Sequence, residues 1–264
     1  MVMERVGNAC RIRDCAPLAI AAMDTPYNLP DSCPNCGAGF VAGDAYCGKC
    51  GQRKGLHRLT LHDIAHEVLH VLAHVDNATL SLVGMLLTRP GFVALDYVQG
   101  KRKRYFGPFA SLFVAVAAAS AELAFTGLPT TLASSPNAVS NFVQTHINLV
   151  MFAEVPVLAA FSRLLAARWG FNYAEHLVLA AYTSSMRFLF SFLVFIPVWF
   201  ALRNHPAVLY YLYVASLPIW PLYYGFAASQ FLQGARASSW LRGILATILA
   251  WVSIQGMATL AASL

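Results

Sequence analysis

Charge is what this sequence has least of. Asp, Glu, Lys and Arg make up 11% of its 264 residues, against 58% hydrophobic. A soluble globule usually carries a charged share near about 25%, so a chain this apolar lacks the polar surface to face water on all sides. Lipid is the solvent the composition asks for, and the mean hydropathy of +0.57 agrees. A secretory leader is also missing at the start: the apolar run Ala16 to Met23 is short and is broken by Pro17. The net charge of +6 would suit nucleic acid if it formed a stripe. The basic residues instead stand at the ends of apolar stretches, so no nucleic-acid partner is expected and the charge reads as orientation in a bilayer.

Cysteine is absent after Cys50, although six lie before residue 51. Four of them form one pattern, Cys33-Pro34-Asn35-Cys36-Gly37 and Tyr46-Cys47-Gly48-Lys49-Cys50-Gly51. Two such knuckles, each with glycine directly after its second cysteine, let backbone amides face the thiolates while four sulfurs close a tetrahedral zinc site. A disulfide framework is the competing reading, but secreted cysteines rarely come as paired knuckles. Residues 32–55 are therefore expected to be a small zinc ribbon with Cys33, Cys36, Cys47 and Cys50 as ligands. Residues 1–31 are expected to be poorly ordered, with Cys10 and Cys15 as free thiols and Met23 as an alternative initiator.

Residues 105–264 divide into about five apolar spans, each near the ~20 residues that a bilayer needs: Pro108 to Phe125, Ile147 to Ala167, His176 to Leu202, Ala207 to Ser229 and Trp240 to Leu260. The expected fold is an all-α membrane protein. Twelve of the eighteen Lys and Arg precede the first span, which puts the N-terminus in the cytoplasm of a cell with the spans in its inner membrane. Alternation then places Arg163, Arg168 and Arg236 inside, and Gly127 to Asn141 and Arg203 outside.

Between ribbon and spans, residues 59–104 read as interfacial amphipathic helices. Thr60 and Asp63 form a helix start. At 100° per residue, Leu61, Ile64, Ala65, Val68, Val71, Leu72 and Val75 share one face, and His62, Asp63, His66, Glu67, His70 and His74 share the other. His66-Glu67-Val68-Leu69-His70 also spells HExxH, in which His66 and His70 would hold a second zinc and Glu67 would activate a bound water. A solvated polar face produces the same string. A third ligand would have to come from elsewhere, and Glu175 with His176 is the downstream acid and imidazole pair at a similar depth. Lys101, Arg102, Lys103 and Arg104, at the threshold of the first span, are candidates to bind anionic lipid headgroups.

Two acids and an arginine fall within the spans, where an ionisable group needs a partner or water. Counting ~1.5 Å per residue puts Arg187 and Glu154 at about the same depth, with Glu122 as the alternative partner. Such a pair is either a structural bridge or part of a solute pathway. No inverted repeat is visible, which weighs against a transporter.

The knuckles, the HEVLHVLAHVD helix, the TRPG breaker and the YVQGKRKRYFGPF approach to the first span resemble, over Cys33 to Phe113, a bacterial family catalogued as domain of unknown function 3667. The resemblance implies a membrane location and a ribbon, and names no substrate or reaction. The residues support three readings: a non-enzymatic module that binds a protein partner at the ribbon or anionic lipid at the membrane surface, a membrane-embedded zinc hydrolase, and a carrier of a small solute or lipid.

Overall fold

Proline and glycine divide the apolar sequence into helices. The computed structural model describes residues 32–41, 43–54, 58–63, 78–126, 145–234 and 236–263, and among these the only strand-like pairings are two isolated bridges in the cysteine segment. Helix α1 (Ala78–Thr88) stops at Arg89, and α2 (Pro90–Val98) opens on a proline whose missing amide would be unpaired in a first turn anyway. Gly100, at φ 96, ends α2, and Arg102–Arg104 form a short 3-10 turn. Four long helices follow: α3 (Pro108–Thr126), α4 (Ile147–Leu165), α5 (Tyr173–Leu202) and, last in the chain, α8 (Arg236–Ser263). All four are long and apolar enough to cross a membrane, so the chain is an all-α membrane protein.

The fourth expected span, Ala207 to Ser229, is not one helix. It is α6 (Pro206–Ser216) followed by α7 (Ile219–Leu232). The break falls at Pro218, which cannot donate to the helix ladder, although Leu217 before it keeps helical dihedrals at φ -55 and ψ -43. Even so, the pair runs back along the whole of α5. Tyr213 lies 6.2 Å from Phe195, Trp220 5.5 Å from Phe190 and Phe231 5.8 Å from His176, measured between ring centres. Ser216 donates its hydroxyl to the Tyr213 carbonyl at 2.7 Å, satisfying a carbonyl beside the break.

Small residues set the closest helix approaches. A side-chain carbon at Gly243 would fall 2.7 Å from the Gly225 Cα, so α7 and α8 touch backbone to backbone there. One at Gly91 would fall 2.0 Å from the Ala227 carbonyl oxygen, which presses α2 onto α7. Helices α1 and α2 therefore pack into one end of the bundle: Leu82, Leu86, Val93, Ala94 and Tyr97 belong to its core, and Tyr223 donates to the Leu86 carbonyl at 2.8 Å. Leu87 and Phe92 remain exposed.

Candidate metal centre

The two knuckles fold alike. In each, the amide of the glycine after the second cysteine donates to the carbonyl of the first, Gly37 to Cys33 and Gly51 to Cys47, both at 2.8 Å. The amide of the first cysteine then donates to the second residue beyond its partner cysteine, Cys33 to Ala38 at 2.7 Å and Cys47 to Gln52 at 2.8 Å. This path needs a left-handed residue at the turn, and Gly37 and Gly51 supply it at φ 73 and 71. Bridges Ser32 to Gly39 and Tyr46 to Arg53 close each knuckle.

The sulfurs converge as a result. Cys33 and Cys50 are 3.6 Å apart, Cys36 and Cys47 are 3.6 Å apart, and all four ligand atoms lie within 4.8 Å of one another. A thiolate tetrahedron with metal–sulfur bonds near 2.3 Å has edges of roughly 3.8 Å, so the residues fit a metal ion and leave no position open to a substrate. The thiols compete for protons. At Cys36 the Ala38 amide pulls the group down, yet desolvation and the thiols of Cys50, Cys47 and Cys33 carry it up to about 12. At Cys50 the Asn35 side chain leads in drawing it down to about 6. A bound cation resolves this competition by stabilising every thiolate at once.

The ribbon meets one end of the bundle at Gln52, with Arg58 close behind it in the chain, neither of which stands out in the sequence. Gln52, buried, accepts the Lys103 amide on its side-chain oxygen at 3.0 Å. Arg58 grips Glu175 with two nitrogens, Nε at 2.8 Å and Nη2 at 3.0 Å, and Nη2 also reaches the Gly170 carbonyl at 2.6 Å. Glu175 is 1% exposed. Its carboxylate accepts the Asn172 amide at 2.7 Å while Asn172 accepts the Glu175 amide at 2.9 Å, a capping box that starts α5. Asn172 donates in turn to the Leu59 carbonyl at 3.0 Å. The detectable signal was the Asn-x-x-Glu spacing at 172–175; nothing local marks Arg58 as its partner.

The remaining candidates are placed as follows. Thr60 and Asp63 bond reciprocally, with Thr60 donating its amide and hydroxyl to Asp63 at 2.8 Å. His66, Glu67 and His70 lie outside the described residues, as do Cys10 and Cys15. Glu175 is committed to Arg58. His176, fully buried, shares a hydrogen bond of 2.9 Å with Ser162. Lys101 pairs with Asp96 at 2.6 Å, and Tyr105 donates to the same carboxylate at 2.7 Å. Lys103 and Arg104 are exposed. Arg187 pairs with Glu154 between α5 and α4, whereas buried Glu122 accepts from Ser191 at 2.9 Å. Arg168 and Arg242 both lie over the Trp169 ring, at 4.2 and 5.2 Å, which brings two more cations to this end of the bundle.

A family model described as protein of unknown function (DUF3667) matches residues 83–119, from within α1 through the basic turn into α3. No curated protein matches the chain, and no solved structure does.

Proposed function

We propose that this chain is a non-enzymatic module of a bacterial inner membrane whose zinc ribbon, on the cytoplasmic face, forms with the basic turn a rigid docking surface for anionic phospholipid headgroups and a protein partner. The observation that carries this reading is the seat of the ribbon. Gln52 of the ribbon bonds the basic turn, and Arg58, a few residues farther along the chain, bonds the first turn of α5, which supports one shared surface at this end of the bundle. Four thiolates favour zinc, and a closed sphere is a structural rather than a catalytic site. The positive ribbon end supports a cytoplasmic N-terminus by charge bias. The hydrolase reading would need a ligand beyond His66 and His70, and Glu175 is already engaged with Arg58.

Metal analysis and bound-lipid analysis of the purified full-length chain test this proposal together. One tightly bound zinc per chain is expected, with anionic lipid retained preferentially and lost when Lys101, Arg102, Lys103 and Arg104 are all changed to Gln. Two zincs per chain would revive the histidine site. Zinc-free protein, or lipid retention indifferent to the four cations, would sink the proposal.

A further inference from the structure

The contact between Gln52 and Lys103 does more than hold two pieces together. Gln52 belongs to the second knuckle by its backbone, whose carbonyl accepts the Cys47 amide at 2.8 Å, and to the basic turn by its side chain, which accepts the Lys103 amide at 3.0 Å. That amide lies in the short turn Arg102–Arg104, whose preceding residue Lys101 makes no side-chain cap. Gln52 therefore satisfies a donor the turn leaves open. The same junction lays the Lys103 side chain along Gly51, where an added side-chain carbon would come within 3.8 Å of Lys103 Cε.

Charge follows from this geometry. Lys49 and Arg53 are exposed and lie within two residues of Gly51, hence within roughly 7 Å along the chain. Lys103 and Arg104 are exposed on the other side of the junction. The nearby acids Asp96 and Glu175 are neutralised by Lys101 and Arg58, and Asp63 is bonded to Thr60. Asp44 is exposed on the ribbon, in the turn that links the two knuckles. Tyr46 is bridged to Arg53, so the two side chains leave the same face. Both are exposed. An amphipathic ring beside cations suits a membrane interface better than a site for a free anion.

We infer that the second knuckle and the basic turn form one binding surface for anionic phospholipid headgroups, joined by Gln52, so that metal in the ribbon sets the affinity of the membrane-facing cations. This rests on the headgroup reading above and adds its regulation. Without metal the knuckle loses the path that positions Gln52, Lys49 and Arg53 swing away, and Lys103 and Arg104 act alone.

The experiment uses full-length protein in detergent equilibrated with mixed phosphatidylglycerol and phosphatidylcholine, with retained lipids quantified by mass spectrometry. Chelation and Gln52→Ala should each lower the phosphatidylglycerol preference, and Gln52→Glu, which keeps an acceptor oxygen, should restore part of it. Lys49→Gln with Arg53→Gln, which touches no ligand and leaves metal content unchanged, should weaken anionic retention about fivefold per cation. If Lys103→Gln with Arg104→Gln lowers the preference but chelation and the Lys49 and Arg53 changes do not, the joint surface is overturned while the headgroup reading stands. If no substitution matters, the headgroup reading itself fails. Loss of the preference in competing inorganic phosphate, at constant ionic strength, would identify a phosphate site and overturn the membrane surface.

Discussion

The ribbon and the helical bundle hold their shapes by opposite means. Among the described residues of 32–54, Cys33, Cys47 and Gln52 alone are buried, and two of these belong to the four-cysteine cluster that could hold a metal ion. The bundle instead buries a continuous apolar core from Leu59 through Ala250. A metal ion held by the four cysteines would fix the first region through a few strong bonds, whereas the second rests on many weak contacts. A single substitution can therefore abolish the one and only dent the other, unless it strands a charge or forces two backbones apart.

The largest effect should come from Cys36→Ser with Cys47→Ser. Structural zinc contributes on the order of 10 kcal/mol or more to small metal domains, so metal content should fall to zero and the ribbon should become sensitive to protease. Thermal unfolding of the bundle in detergent should still show a cooperative transition. In the unmutated chain, zinc retention should decline as pH falls, because protons compete for thiolates. Stoichiometric zinc in the double variant would erase the distinction between the two regions.

Arg58→Leu tests the exception. It leaves the Glu175 carboxylate, 1% exposed, without its cation, and breaking a buried pair from one side costs about 3 to 5 kcal/mol. Arg58→Leu combined with Glu175→Gln should lose less than Arg58→Leu alone, read as the unfolding midpoint in detergent. A double loss equal to the sum of the Arg58→Leu and Glu175→Gln losses would show that the seat carries no charge coupling.

The smallest expected effects separate packing from propensity within the bundle. Gly91→Ala drives a carbon to within 2.0 Å of the Ala227 carbonyl oxygen, and overpacking of this kind costs about 1 to 3 kcal/mol. Gly256→Ala in α8 meets nothing within 4 Å and should stabilise by roughly 0.5 to 1 kcal/mol through helix propensity. The two midpoints should move in opposite directions, and a shared direction would mean that α2 is not seated on α7.

What could be read from sequence follows from the range of the physics involved. The knuckles are local: four cysteines and two glycines at fixed spacing leave one arrangement of sulfurs. The long helices are nearly as local, since run length and a composition poor in charge define them. The break at Pro218 is visible as a proline, but prolines within membrane helices often only kink them, so the sequence predicts a continuous span there. Arg58 was not legible at all. Its partner is 117 residues away, and no periodicity connects an arginine in a linker with the first turn of a distant helix. The packing of α1 and α2 into the bundle was similarly hidden, since it depends on Gly91 meeting a carbonyl of α7.

The length of α5 carries a consequence for thickness. Its 30 residues extend about 45 Å, and at a typical tilt of roughly 20° they still cover some 42 Å along the membrane normal, against about 30 Å of hydrocarbon. About eight residues of the helix must therefore stand outside the oily layer. Mismatch of this size is relieved by steeper tilt or by protrusion, and the first turn of α5 is where the chain just after the ribbon is bonded. In a thinner bilayer α5 leans further, and Arg58 and Leu59, bonded to its first turn through Glu175 and Asn172, tip with it relative to the membrane plane.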